Sequence, residues 1–355
     1  MRKLFVVLAA GALLSAPTLF AQAEQTLDMY FIDVEGGQAA LYVSPTGESL
    51  LYDVGGGSPA SNARDVPRIM EVIREAGLIV LDHVIISHYH GDHVGGSVPL
   101  SEILPIRTWY DHGAWTSELR SNRRAAFETW RELRQSAHVI VPEPGEKIGI
   151  SGLDVTVVSS AGDLLQTAMA GAPGAGMANP LCSSNVPKKQ DPTPENIYPI
   201  GAVIQYGSFR MLNLADLTWD QEAELVCPSN LLGTVDLYQT TRHGGDYSGN
   251  QTLVHSVQPR VAIMNNNNTK GGTAGTFRIV TSAPRLQDFW QLHYSDNVSE
   301  DVNSPAQFIA NFTGPRAHDP AYYIKVSARA DGSFTMTNSR NGFSKEYPAA
   351  SQSTR

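Results

Sequence analysis

Ser87-His88-Tyr89-His90-Gly91-Asp92-His93-Val94-Gly95-Gly96 is the stretch on which the reading of this chain turns. Three histidines and an aspartate fall within six residues, just after the apolar run Val84-Ile85-Ile86. A short β-branched run closed by polar residues reads as a buried strand, so the cluster stands in the loop at a strand's carboxyl end. Each neutral imidazole offers one lone pair and the carboxylate adds anionic oxygen, a donor mix suited to zinc or a similar transition ion. Side chains alternate along an extended segment, which sets His88 and His90 on one side and lets Asp92 and His93 face a second position. The spacing therefore predicts two metal positions. Gly91 is read as the point where the backbone turns between the ligand pairs, and Gly95-Gly96 as a place where the next element packs closely.

Upstream, Leu27–Val34, Ala39–Val43 and Ser49–Val54 are short apolar runs separated by Gly36-Gly37 and Pro45-Thr46-Gly47, the pattern of a β-meander. Val66, Ile69, Met70 and Ile73 recur at helical spacing and predict a helix over Asp65–Ala76, stopped by Gly77. Downstream, Thr116–Gln135 reads as a helix that buries Leu119, Phe127, Trp130 and Leu133. Its arginines at 120, 123, 124, 131 and 134 read as a solvated face paired with Glu118, Glu128 and Glu132. Residues 161–199 turn to Gly, Ala, Pro, Asn and Ser, lack the apolar periodicity of a second domain, and read as a long loop inserted into a single domain. Strands are expected at Ala202–Tyr206, Arg210–Leu214, Val235–Gln239 and Val261–Met264, with helices at Trp219–Val226 and Asn250–Val257. A hairpin is expected around Ala330-Asp331-Gly332. Two sets of strands with interleaved helices predict an α/β protein with a two-sheet core and helices outside.

Ser87–Gly96 resembles the H-x-H-x-D-H signature of the metallo-β-lactamase superfamily, which implies a four-layer αββα sandwich. Asp53, in Leu51-Tyr52-Asp53-Val54-Gly55, is similar to that superfamily's upstream aspartate, which orients the metal ligands. Asp216, in Asn213-Leu214-Ala215-Asp216, resembles the carboxylate that bridges two metals, although it also precedes a predicted helix, where aspartate is a common cap. His243, in Thr241-Arg242-His243-Gly244-Gly245, resembles the last histidine ligand. The opening Phe31-Ile32-Asp33-Val34-Glu35-Gly36-Gly37-Gln38 looks like the start of the soluble domain of the ComEC DNA-uptake family and its secreted relatives. Here Ala39 follows Gln38, and Gly244 stands where that family has a second histidine.

The resemblance implies two divalent transition metal ions, zinc foremost, held by His88, His90, Asp92, His93, Asp216 and His243. For the third ligand of the first metal the sequence leaves His112, His138 and Asp163 open, or Asp216 alone. The function implied is hydrolysis by a metal-bound hydroxide of an ester-type bond, phosphodiester first, with Asp92 and Asp216 as catalytic carboxylates. Lactone or β-lactam ring opening, and a non-hydrolytic metal-binding module of the same fold, are the alternatives.

The chain has 355 residues with 42% hydrophobic and 17% charged content, the balance of a globular protein. Residues 1–23 read as a signal peptide: Arg2 and Lys3, an apolar run from Leu4 to Leu14, and Ala21-Gln22-Ala23 as a cleavage site. That predicts a periplasmic or secreted protein with no membrane segment after cleavage, one domain over 24–345, and a disordered tail over 346–355. A net charge of −9 disfavours broad nucleic-acid binding unless the site is locally positive, and points to a small-molecule or ester substrate. Cys182 and Cys227 are too far apart for a metal knuckle and are free to form a disulfide in an oxidising compartment. Nothing in the sequence sets the oligomeric state.

Overall fold

The computed structural model describes residues 25–113, 124–183, 191–312 and 321–350. The proposed signal peptide and most of the first half of the arginine-bearing helix lie outside them.

Strands β1 (Leu27–Phe31), β2 (Ala40–Val43) and β3 (Ser49–Tyr52) form the expected antiparallel meander. Strands β4 (Leu81–Ile85), β5 (Ile106–Tyr110) and β6 (Val139–Ile140) continue the sheet parallel to β3. Between them run α1 (Pro59–Glu75), the short helices α2 (Gly91–Val94) and α3 (Ser97–Ile103), and α4 (Arg124–Arg134). Helix α1 starts earlier than its apolar spacing suggests. Ser58 accepts the backbone N–H of Ser61 and Pro59 opens the first turn, so a cap extends the helix over residues 59–64, which have no apolar stripe.

A second sheet begins with β7 (Lys147–Ile150), β8 (Leu153–Ser160) and the two-residue β9 (Asp163–Leu164). It continues through β10 (Gly201–Tyr206), β11 (Phe209–Asn213), β12 (Leu237–Gln239), β13 (Val261–Met264), β14 (Asp288–His293) and β15 (Ile309–Asn311). Strands β11 to β15 are parallel neighbours in chain order. Helices α5 (Trp219–Glu224), α6 (Gln251–Val257) and α7 (Ala274–Thr281) connect them. The chain then returns to the first sheet, where β16 (Ile324–Ala328) pairs with β1 and β17 (Phe334–Asn338) and β18 (Ser344–Tyr347) extend the edge.

Period-two alternation sorts the side chains into three cores. Met29, Phe31, Leu50, Tyr52 and Ile85 face the second sheet and meet Val155, Val157, Ile204, Met211 and Ile263. Their sequence neighbours Tyr30, Ile32, Leu51, Val84 and Ile86 face outward under Val66, Ile69 and Ile73 of α1 and Phe127 and Trp130 of α4. On the far side Val203, Leu212, Tyr238 and Ala262 are covered by Trp219, Leu253, Val254, Phe277 and Val280. The order is helices, sheet, sheet, helices, the αββα sandwich the resemblance implies. Each such aliphatic or aromatic side chain stabilises the fold by about 1.5–3 kcal/mol when fully buried, so the double-sided strands dominate the core.

Two expectations change. The tail does not begin at 346: β18 runs through Tyr347, which is fully buried, stacks on Phe334 and donates its hydroxyl to Asp288 at 2.7 Å. Polar flanks hid this strand, whose one apolar residue does all its burial. Gly91 is not a point of special backbone freedom but the start of α2, and it is needed for space, since a Cβ there would lie 2.8 Å from Gly57 Cα. Gly95 and Gly96 behave as expected, with a Cβ on Gly96 falling 2.2 Å from the Val54 carbonyl oxygen. The residues described within 161–199 form β9, 3-10 turns at Pro180–Ser183 and Pro194–Ile197, and a disulfide from Cys182 to Cys227.

Candidate metal centre

Parallel strands of both sheets end at one seam, and their carboxyl ends deliver the site. Strand β3 leads to Asp53, β4 into His88–His93, β11 to Asp216, β12 to His243 and β13 to Asn265. His90 caps α2, whose single turn swings Asp92 and His93 away from the extended His88–His90 segment. Asp216 does not cap α5, where Thr218 takes the cap position, and its carboxylate faces the histidines instead. His243 sits in a tight turn in which it and Arg242 both take left-handed backbone angles, φ 56° and 53°. The Gly271 backbone lies flat against this turn, since a Cβ on Gly271 would be 1.8 Å from the His243 carbonyl oxygen.

All six predicted ligands converge. His93 Nε2 lies 3.3 Å from His243 Nε2, and each of those atoms lies 3.4 Å from Asp216 Oδ1. Asp92 Oδ2 stands 3.5 Å from His93 Nε2 and 3.4 Å from His243 Nε2. His88 Nε2 is 4.0 Å from Asp216 Oδ2 and 2.8 Å from His90 Nδ1. Two ligand groups form here, His88 with His93 and Asp216, and Asp92 with His93 and His243, so His93 is shared where alternation had assigned it to one side. His90, Asp92, Asp216 and His243 line an open cleft of about 300 Å³ together with Thr193, Asn196, Arg242 and Lys270.

Supporting groups hold the rings. Asp53, fully buried, accepts from the Ser87 backbone N–H and hydroxyl at 2.7 Å each and pairs with His93 Nδ1 at 2.8 Å, which turns His93 Nε2 into the cleft. Asn265 lies 3.1 Å from His243 Nδ1, and its amide also reaches Gln38, whose side chain joins Asn213 and Gln239. A carboxylate hydrogen-bonded to a ligand histidine on one wall and an amide relay on the other are the outer partners that metal sites use to fix ring orientation.

The charges fit a cation. Burial, then the fields of His93 and His90, push His88 well below its ordinary pKa and leave a neutral ring with a free lone pair. Burial alone would raise Asp216, but His243, His93 and His88 outweigh it and hold the carboxylate far below its usual range. Its low-dielectric surroundings would likewise raise Asp92, which Lys270, His93 and His243 keep well down. The Lys270 ammonium pairs directly with Asp92 Oδ2, a cation standing beside the carboxylate. Asp216 Oδ1 is buried without a hydrogen-bond donor, which is costly unless a positive centre compensates it. Ionised carboxylates, inward-facing imidazole nitrogens and one orphaned oxygen are the donor set of a transition-metal site.

His112, His138 and Asp163 do not join this set. His112 is spent on Glu195, 2.8 Å from its Nε2, and is packed between Tyr89 and Tyr198. His138 donates nothing to the cleft and uses its carbonyl on Trp109 N, while Asp163 is exposed on β9. Lys270, Arg242 and Asn196 lay outside the reading of the sequence. Arg242 adjoins His243 and was there to be read, whereas an isolated lysine or asparagine in a loop carries no signal by itself.

Residues 33–158 match the family model described as the metallo-beta-lactamase superfamily, a span that ends within β8 and contains Asp53 and the His88–His93 cluster. With the two-sheet sandwich, this match supports membership of the metallo-β-lactamase superfamily. The superfamily binds divalent metals, often two, and the clustered histidines and aspartates here are the candidate ligands. A lactamase-like protein of Pestalotiopsis microspora is 37% identical over 68 residues, 19% of this chain, so the chain spans only a fifth of that relative's length. Among solved structures, the metallo-β-lactamase fold protein YhfI of Bacillus subtilis is 14% identical, with 76% of this chain and 96% of that one covered at a TM-score of 0.45. Igni18, a metallo hydrolase of Ignicoccus hospitalis, is 13% identical over 74% and 93% at 0.42. The diiron β-hydroxylase CmlA of Streptomyces venezuelae is 14% identical over 69% and 45% at 0.38.

Proposed function

We propose that this metallo-β-lactamase-type chain is an exported hydrolase of ester-type bonds, phosphodiesters foremost, that works with two divalent ions, zinc first. The convergence of His88, His90, Asp92, His93, Asp216 and His243 on one open cleft carries the reading. Two such ions, when bound, activate water near neutral pH and polarise the oxygen under attack. Asp216 reaches both ligand groups and sets their separation; Asp92 is placed to orient the nucleophile. Arg242 is pinned by Asp191 and by Thr193 Oγ1 at 3.0 Å, so it shapes the wall of the cleft. Lys270 is 44% exposed and lines the cleft beside Asp92. Once Asp92 takes up a cation, Lys270 is placed to pair with an anionic substrate oxygen. That local positive charge answers the objection a net charge of −9 raises against a phosphate-bearing substrate. The Cys182–Cys227 bond supports an oxidising compartment.

The test sets bis-p-nitrophenyl phosphate beside nitrocefin and a homoserine lactone, with metal content measured on the same preparation. The diester is expected to be the best substrate, and His90→Ala to lose more than about 100-fold in kcat/KM, beyond the loss seen for outer partners of a metal. Protein purified without any transition metal and unable to take one up overturns the reading; a preference for nitrocefin or the lactone overturns the substrate class.

A further inference from the structure

His88 and His90 share His93 and Asp216 with the rest of the site, and among the described residues His112 adds no further imidazole on their side, since it is committed to Glu195. Asn196 comes to the same cleft from the 3-10 turn Pro194–Ile197, at the end of the glycine- and proline-rich segment. Its side chain is buried, with 1% of the residue exposed. Its Nδ2 donates to Asp191 Oδ2 and Thr193 Oγ1, both at 2.9 Å, which fixes which end of the amide is oxygen. Its Oδ1 is buried with no hydrogen-bond partner. A buried carbonyl oxygen left so forfeits its hydration with nothing in return, and clamping the nitrogen end prevents the amide from turning to relieve it. Asp191 is itself held by Arg242, one residue before His243, so the clamp is tied to the turn that carries that ligand.

We propose that Asn196 is a metal-site residue, supplying through Oδ1 a neutral oxygen ligand where a histidine would otherwise complete the His88–His90 site. The assignment rests on the metal-centre reading above. Amide oxygens are harder donors than imidazole, so this position leans toward oxygen-preferring divalent ions relative to an all-histidine set.

The experiment measures metal stoichiometry, affinity and the cobalt(II) visible spectrum of the whole protein and two near-isosteric variants, with zinc, manganese and cobalt ions as probes. Wild type is expected to hold two ions. Asn196→Leu is expected to lose one of them or bind it at least tenfold more weakly, while Asn196→Asp keeps both and shifts the cobalt bands because a carboxylate oxygen replaces an amide oxygen. Melting of the metal-stripped proteins shows whether Asn196→Leu is folded; if it is not, Asn196→Asp alone decides, since an affinity and cobalt spectrum identical to wild type overturn the assignment. Equal weakening in both variants also overturns it, because that pattern belongs to the clamping nitrogen and not to the oxygen. Wild type that binds no ion at all removes the metal centre itself, whereas two ions held by both wild type and folded Asn196→Leu remove only Asn196's part.

Discussion

His93 stands among three carboxylates, with Asp53 at 2.8 Å from Nδ1 and Asp216 and Asp92 at 3.4 and 3.5 Å from Nε2. Burial would lower its pKa, but Asp216, Asp92 and Asp53 push it up to about 10. The metal-free protein therefore holds a proton on His93 that an ion must displace. In that form the charged ring stabilises the fold fully below about pH 6.5, and the contribution is lost as pH rises towards 10. Metal affinity runs the other way: it strengthens by up to about tenfold per pH unit below 10, with a proton released from His93 on binding. Calorimetric titration between pH 6 and 9, in buffers of different ionisation enthalpy, reads both quantities; affinity flat across that range would exclude a protonated His93. Lys270 gives a second test. Lys270→Met removes the ammonium that competes for Asp92, so metal should bind more tightly by up to about fivefold, the scale of one partly exposed ion pair. KM for an anionic diester should rise by a similar factor, with little change for a neutral ester. A variant that weakens metal binding would show that Lys270 supports the ligands and does not oppose an ion.

At the scale of elements, Glu222 on α5 accepts the backbone N–H of Asn250, the cap of α6, at 2.8 Å, and lies against the Thr241 turn that carries His243. It is fully buried and its pKa is raised to about 7, from burial first, against which Thr241 and the backbone N–H groups of Asn250 and Gly249 pull only partly. Between about 4.5 and 7 the folded chain binds a proton that the unfolded chain has released, so stability falls as pH rises through that window, by on the order of 3 kcal/mol in full. Glu222→Gln should flatten this fall in denaturant melts from pH 4.5 to 8; an unchanged slope would place the titrating group elsewhere.

Elements such as β13 and α6 were legible because their apolar residues repeat at strand or helix period and Asn250 marks a start. The edge strand β18 and the helix α7 were not, since one is polar except for Tyr347 and the other has Gly275 in its first turn within a threonine-rich run. The site divides in the same way. His88 to His93 announce themselves by local density, while Asp216 and His243 needed the family likeness. Lys270 and Asn196 reach the cleft through loops whose paths depend on tertiary contacts that no local pattern records.

Across the whole molecule, the ligands come from the first sheet through His88–His93 and from the second through Asp216 and His243. An ion held between them joins the two halves of the sandwich directly, and metal that binds only the folded chain stabilises it by RT ln(1 + [L]/Kd), about 2.7 kcal/mol at a free concentration a hundredfold above Kd. Chelation should therefore lower the melting temperature by several degrees, reversibly on adding metal back, and His243→Ala should abolish most of that shift. A melt indifferent to chelator in a protein shown to carry metal would place the ion outside this seam.

The bond between Cys182 and Cys227 spans a sequence separation of 45, and by chain-entropy reasoning such a closure is worth about 4 kcal/mol. It fastens the turn at Pro180–Ser183 to the chain between α5 and β12. That part of the segment 161–199 is thereby kept beside the second sheet even where the hydrogen bonds around it open, so the bond narrows the range of shapes one side of the molecule can take.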